Sequence, residues 1–88
     1  MPYQPYQFKI QPRDSVLRLA EAMEEALRAN EHRGAWANVP VDKLVDSAMT
    51  AMDELDFAQA NLTGEAVAHH AVTVANYMMM IKDNANGQ

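Results

Sequence analysis

Cysteine is absent, so the chain has no disulfide framework and no thiolate metal site. Basic residues are few. Seven Lys and Arg face twelve Asp and Glu, a formal net charge of −5. A broad basic surface is therefore missing, and a nucleic-acid partner is not expected. Long apolar runs are missing too. The longest strongly apolar stretch is Tyr77-Met78-Met79-Met80-Ile81, far short of the roughly 18 residues a membrane-spanning helix needs. The first residues, MPYQPYQFKIQP, lack the charged start and apolar segment of a secretory signal. No membrane association is expected, and a cytoplasmic location is.

Length is also limited. The chain has 88 residues, enough for one domain. A chain this short buries only about 60–65% of its unfolded surface. Small domains without disulfides or metals often gain stability by oligomerising. The hydrophobic fraction, 49%, is near the globular average, so the whole chain is not disordered.

Proline is rare after residue 13 and concentrated before it, at Pro2, Pro5 and Pro12. Proline lacks an amide donor and disfavours helix in the residue before it. Residues 1–13 are read as an extended arm in which Tyr6, Phe8 and Ile10 alternate with polar residues. Such an arm is either a disordered terminus or a strip packed on the domain or on a neighbouring subunit.

Three helices are predicted beyond it. The first starts at Asp14 or Ser15, either of which suits a cap. Val16, Leu19, Ala20, Met23, Ala26 and Leu27 make one apolar face. Asn30 and Gly34 bracket its end, and 31–39 is a loop carrying His32, Arg33 and Trp36. The second helix begins near Pro40, with Asp42 in its first turn. Its stripe is Leu44, Val45, Ala48, Met52, Leu55 and Leu62. Asn61-Leu62-Thr63-Gly64 is a turn in which Thr63 can cap the third helix. That helix, 65–83, is apolar on nearly every side. A helix of this kind should be covered on nearly every side. Two partner helices of this length cannot do that, which predicts an oligomer centred on it. A four-helix bundle made by two helical hairpins is the natural form.

Polar residues inside these helices are the candidates for chemistry. Asp53, Glu54 and Asp56 cluster on the second helix; His69, His70, Thr73 and Asn76 stand among apolar residues on the third. His70, Thr73 and Asn76 are spaced by three and share a face. Antiparallel packing would bring His70 towards Glu54. A buried hydrogen-bonded network, with Asn76 satisfying a backbone group, outweighs a metal site. One carboxylate and one or two histidines are too few ligands for zinc. Adjacent His69 and His70 point about 100° apart on a helix and do not readily share an ion.

Three stretches carry a resemblance. They are Ala29-Asn30-Glu31-His32-Arg33-Gly34-Ala35-Trp36, the helix from Leu44 to Leu55, and Val74-Ala75-Asn76-Tyr77-Met78-Met79-Met80-Ile81-Lys82-Asp83-Asn84. From Met23 to Asn84 the chain resembles the small MazG-like nucleotide pyrophosphohydrolases, common in phage and bacterial genomes. The first stretch is similar to a family loop in which Asn precedes a basic-Gly-Gly-Trp element. The last is similar to the family's Asp-Val-Ala-Asn-Phe-x-Met-Met-Ile-x-Asp-Asn ending. The resemblance implies metal-assisted hydrolysis of nucleoside triphosphates to monophosphate and pyrophosphate. Glu-x-x-Glu and Glu-x-x-Asp pairs on two helices would hold Mg²⁺ there.

Position by position, most of that set is gone. The first Glu pair falls on Thr50 and Ala51, and only the last Glu survives, as Glu54. The second motif falls on His70 and Thr73, with Asn76 kept. A shifted register offers Asp53 and Asp56 instead, but it turns the apolar stripe of the second helix. Two Mg²⁺ ions need about four carboxylates for balance, and one Glu cannot offset their dehydration. An imidazole and a hydroxyl would favour a softer metal at best.

The sequence is thus read as an all-α, three-helix chain with an extended N-terminal arm over 1–13. A single MazG-like helical domain spans 14–84 and a flexible tail 85–88. A MazG-like four-helix-bundle core forms by oligomerisation, as a homodimer or homotetramer, through Val67, Val74, Met78 and Ile81. The expected function is that of a catalytically inactive phage or bacterial homologue acting by binding, in an inhibitory or regulatory role, on a host protein or a nucleotide. Its vestigial site is Ala51, Glu54, His70 and Thr73. Trp36, Arg33, Asn76 and Lys82 are candidates for substrate or partner binding. No cofactor is expected. Mg²⁺ or Mn²⁺ belongs to the alternative, a divergent metal-dependent pyrophosphohydrolase using Glu54, His70 and Asp53. Trp36 is read as a lid over the bundle end, or as part of a nucleotide pocket or oligomer contact. The run Met78-Met79-Met80 is read as core, with one member free to face a partner. Asp42, Asp46, Asp53, Glu54 and Asp56 form either a solvated face or a surface for a basic partner.

Overall fold

The protein is described by a computed structural model covering residues 9–31 and 35–87. Tyr6, Phe8, His32, Arg33 and Gly34 lie outside the described residues, as does most of the expected arm. The fold is all-helical: α1 (Asp14–Ala29), α2 (Val41–Asn61) and α3 (Gly64–Gly87). No strand occurs among the described residues. None of the helices is long and apolar enough to cross a membrane.

Local chemistry sets the ends. Arg13, not Asp14 or Ser15, is the N-cap of α1, and its side chain makes no capping bond. Its carbonyl accepts from the amides of Val16 and Leu17 at 3.0 and 3.1 Å. Asp14 lies in the first turn and Arg28 in the last, both favourable to the helix dipole. The Asn30 amide nitrogen donates to the Ala26 carbonyl at 2.8 Å and closes the helix. Pro40, fixed near φ −60°, is the N-cap of α2. At the far end Leu62 turns extended while its amide still donates to Ala58 at 2.8 Å. Thr63 caps α3 as its position suggests: its hydroxyl accepts from the Ala66 amide at 3.2 Å.

α3 runs on through Ala85 to Gly87, so 85–87 are helical rather than a tail. Asn84 is buried on α3, and its amide nitrogen donates to the Trp36 and Val39 carbonyls, both at 2.9 Å. That pair of bonds ties the end of α3 to the loop before α2.

Packing is uneven. α3 lies along α2 extensively and along α1 sparsely, while α1 and α2 do not pack on each other among the described residues. The buried apolar residues are Leu44, Ala48, Ala51 and Ala58, all on α2. Three are alanines, small enough to let two helices approach closely. The stripe expected on α2 is thus only partly internal. Leu44 and Ala48 are buried and Leu55 is half-buried, but Val45, Met52 and Leu62 are exposed. Ala51 and Ala58, which that stripe omits, complete the contact. On α1, Met23, Ala26 and Leu27 are half-buried, whereas Val16, Leu19 and Ala20 are exposed. No residue of α1 is buried.

Candidate functional site

The polar residues of α3 fall into two groups, because adjacent helical side chains diverge. The rings of His69 and His70 meet edge to face, centroids 5.4 Å apart. They nonetheless line different depressions. His70 lines a shallow one of about 350 Å³ with Thr50, Asp53, Glu54 and Phe57. His69 and Thr73 line a larger cleft of about 730 Å³ between α1 and α3, which Trp36 also lines.

The smaller depression brings together Glu54, His70 and Asp53, as the antiparallel pairing of α2 and α3 requires. No hydrogen bond joins Glu54 to His70. Thr50 turns its hydroxyl onto its own helix, donating to the Asp46 carbonyl at 3.3 Å. Among the described residues, no group of three or more His, Asp or Glu is arranged to hold a metal ion. Ala51 is not on this surface. It is 2% exposed and belongs to the α2–α3 contact.

Thr73 is likewise turned inward along the helix, its hydroxyl donating to the His69 carbonyl at 3.3 Å. This back-bonding satisfies a hydroxyl inside a helix without a partner elsewhere. The four residues of the expected vestigial site therefore sit in three places: Glu54 and His70 together, Thr73 on the cleft, Ala51 in the core.

Asn76 is buried, and its amide nitrogen donates to the Met23 carbonyl at 3.3 Å, linking α3 to α1. It thus satisfies a backbone group. Its carbonyl oxygen Oδ1 is buried and has no partner among the described residues. Trp36 is half-buried at the cleft and is held through its own carbonyl by Asn84. Tyr77, half-buried one residue beyond Asn76, lines the same cleft. Lys82 is exposed and lines neither depression. Val67, Val74 and Ile81 are half-buried, and Met78 is 49% exposed.

Sequence reasoning missed Asn84 as an organising residue and Tyr77 as part of the cleft. A signal for both exists in the series His70, Thr73, Tyr77, Met80 and Asn84, whose spacings of three and four mark one face of α3. Compared with known proteins, the chain matches no family model, no curated protein and no solved structure.

Proposed function

We propose that this chain is a catalytically inactive MazG-like homologue of phage or bacterial type that acts by binding, in an inhibitory or regulatory role. One observation carries the reading. The positions at which the resemblance expects carboxylates hold groups that serve the fold instead. Ala51 fills the α2–α3 contact, and Thr50 and Thr73 bond to their own helices. Glu54 remains, exposed and without an ion pair among the described residues.

The binding surface in this reading is the outer face of α2. Asp42, Asp46, Asp53 and Asp56 are exposed there beside Met49 and Phe57, which are 63% and 60% exposed. Charge of one sign around apolar points suits a basic host protein. The chain acts as a homodimer or homotetramer. Val45, Met49 and Met52, spaced by four and three, leave an exposed apolar strip on α2, and Met78 leaves another point on α3. Val67, Val74 and Ile81 extend the α3 contact.

The deciding experiment is incubation with the nucleoside triphosphates and Mg²⁺ or Mn²⁺. No pyrophosphate release is expected. Release that Glu54→Ala abolishes overturns the reading. The second reading, a divergent metal-dependent pyrophosphohydrolase, draws on the meeting of Asp53, Glu54 and His70 in one depression. It requires that Mn²⁺ or Zn²⁺ raise the melting temperature and that Glu54→Ala remove the increase.

A further inference from the structure

α1 is held to the rest of the fold by little, and by a contact with a flaw in it. No residue of α1 is buried. Its apolar face is covered only towards the C-terminal end. Met23, Ala26 and Leu27 are half-buried there, whereas Val16 and Leu19, on the same face, are 52% and 41% exposed. Among the described residues the one ion pair, Arg28 with Glu24, lies within α1 itself. The one side-chain hydrogen bond among them that joins α1 to α3 runs from Asn76 Nδ2 to the Met23 carbonyl, at 3.3 Å.

The flaw is the other half of that amide. Oδ1 shares a carbon with Nδ2, so it sits at the same helix junction, buried and without a partner among the described residues. Turning the amide over brings no relief, because it sets two carbonyl oxygens against each other. Asn76 lines the cleft between α1 and α3, yet Oδ1 is closed off from it. A buried acceptor loses its hydrogen bonds to water and here regains none. Moving α1 off α3 opens the junction to water. Asn76 thus fixes where α1 docks while limiting how tightly it does so. Beyond α1 the chain is tied to α3 again, by Asn84 through the Trp36 and Val39 carbonyls. A release of α1 can stop at that anchor.

We propose that α1 is a releasable strap. It lifts from α3 while the α2–α3 hairpin stays folded, and Asn76 sets how readily it lifts. Release uncovers the half-buried Met23 and Leu27 of α1 and Tyr77 and Met80 of α3. The device is independent of the α2 surface argued above.

Amide exchange of the full chain, resolved by segment, tests this. A free helix of 16 residues is only marginally stable in water, so its amides exchange when it lifts. In the parent, 18–29 are expected to exchange at least about tenfold faster than 48–58. Asn76→Leu puts carbon in place of both terminal amide atoms. It is expected to slow 18–29 about fivefold, or 1 kcal/mol, and to leave 48–58 unchanged. Asn76→Ala removes the amide without adding bulk, which covers the case in which leucine is crowded. Slowing confined to α1 in either variant supports the proposal. It is overturned if 18–29 exchange no faster than 48–58 in the parent, or if the slowing extends equally to 48–58. It is also overturned if neither variant slows α1, whether exchange is unchanged, faster, or lost to unfolding.

Discussion

The α2–α3 hairpin and the α1 segment with its following loop are built on opposite principles. The hairpin buries Leu44 and three alanines in a long antiparallel contact. α1 buries nothing completely and, among the described residues, packs on α3 but not on α2. Two asparagines hold the second region in place: Asn76 through the Met23 carbonyl, and Asn84 through those of Trp36 and Val39. Apolar packing dominates one half and directed polar bonds the other. The contrast teaches where this chain can change. A close-packed contact tolerates little substitution, whereas a region held by a few bonds opens locally at low cost. The cleft lies in the second region.

The sharpest break in the hairpin is Ala51→Glu, which puts a carboxylate where the resemblance would place one. That place is core, so the substitution buries a charge with no partner. Destabilisation of at least about 3 kcal/mol is expected, read by urea unfolding followed by circular dichroism. A variant as stable as the parent would show that α2 can rotate to expose residue 51, and the contrast would fail. Asn84→Leu attacks the other region. It removes the Asn84 donor from both carbonyls; that of Trp36 keeps the Val39 amide at 2.9 Å, and that of Val39 loses its side-chain donor, at about 1–2 kcal/mol. Amide exchange should accelerate over 35–40 while 48–58 stay protected. Uniform acceleration would mean that the two regions unfold as one. Thr63→Ala removes the α3 cap for about 1 kcal/mol, and Thr63→Ser should restore it. The smallest effect belongs to Arg28→Ala. The Arg28–Glu24 pair on α1 is exposed on both sides, so less than about 0.5 kcal/mol is expected, with little response to salt.

Much of this architecture is written in local signals. Pro40 and Thr63 mark helix starts, Asn30 and Asn61 mark ends, and three-four spacing marks the helices themselves. All depend on residues within a turn of one another. The core was less legible. Periodicity weights large side chains, so Met52 and Leu62 entered the expected stripe, while Ala51 and Ala58, which decide how closely α3 approaches, did not. The face Asn84 occupies was legible, but what it binds was not, for another reason. Its partners are the Trp36 and Val39 carbonyls, 48 and 45 residues away, and a backbone carbonyl leaves no mark in a sequence. The candidate site was legible in half: the pairing of the hairpin foretells that Glu54 meets His70. That Thr73 faces a separate cleft follows from the placement of α1, which no local pattern encodes.

The central proposal is that the positions where the resembled family carries carboxylates hold groups that serve the fold in this chain. Titrating the purified chain with Mn²⁺ and following free ion by electron paramagnetic resonance addresses it most directly. The account predicts no site tighter than about 1 mM, a binding free energy weaker than roughly 4 kcal/mol, and no difference between the parent and Glu54→Ala. A micromolar site lost in Glu54→Ala would contradict it.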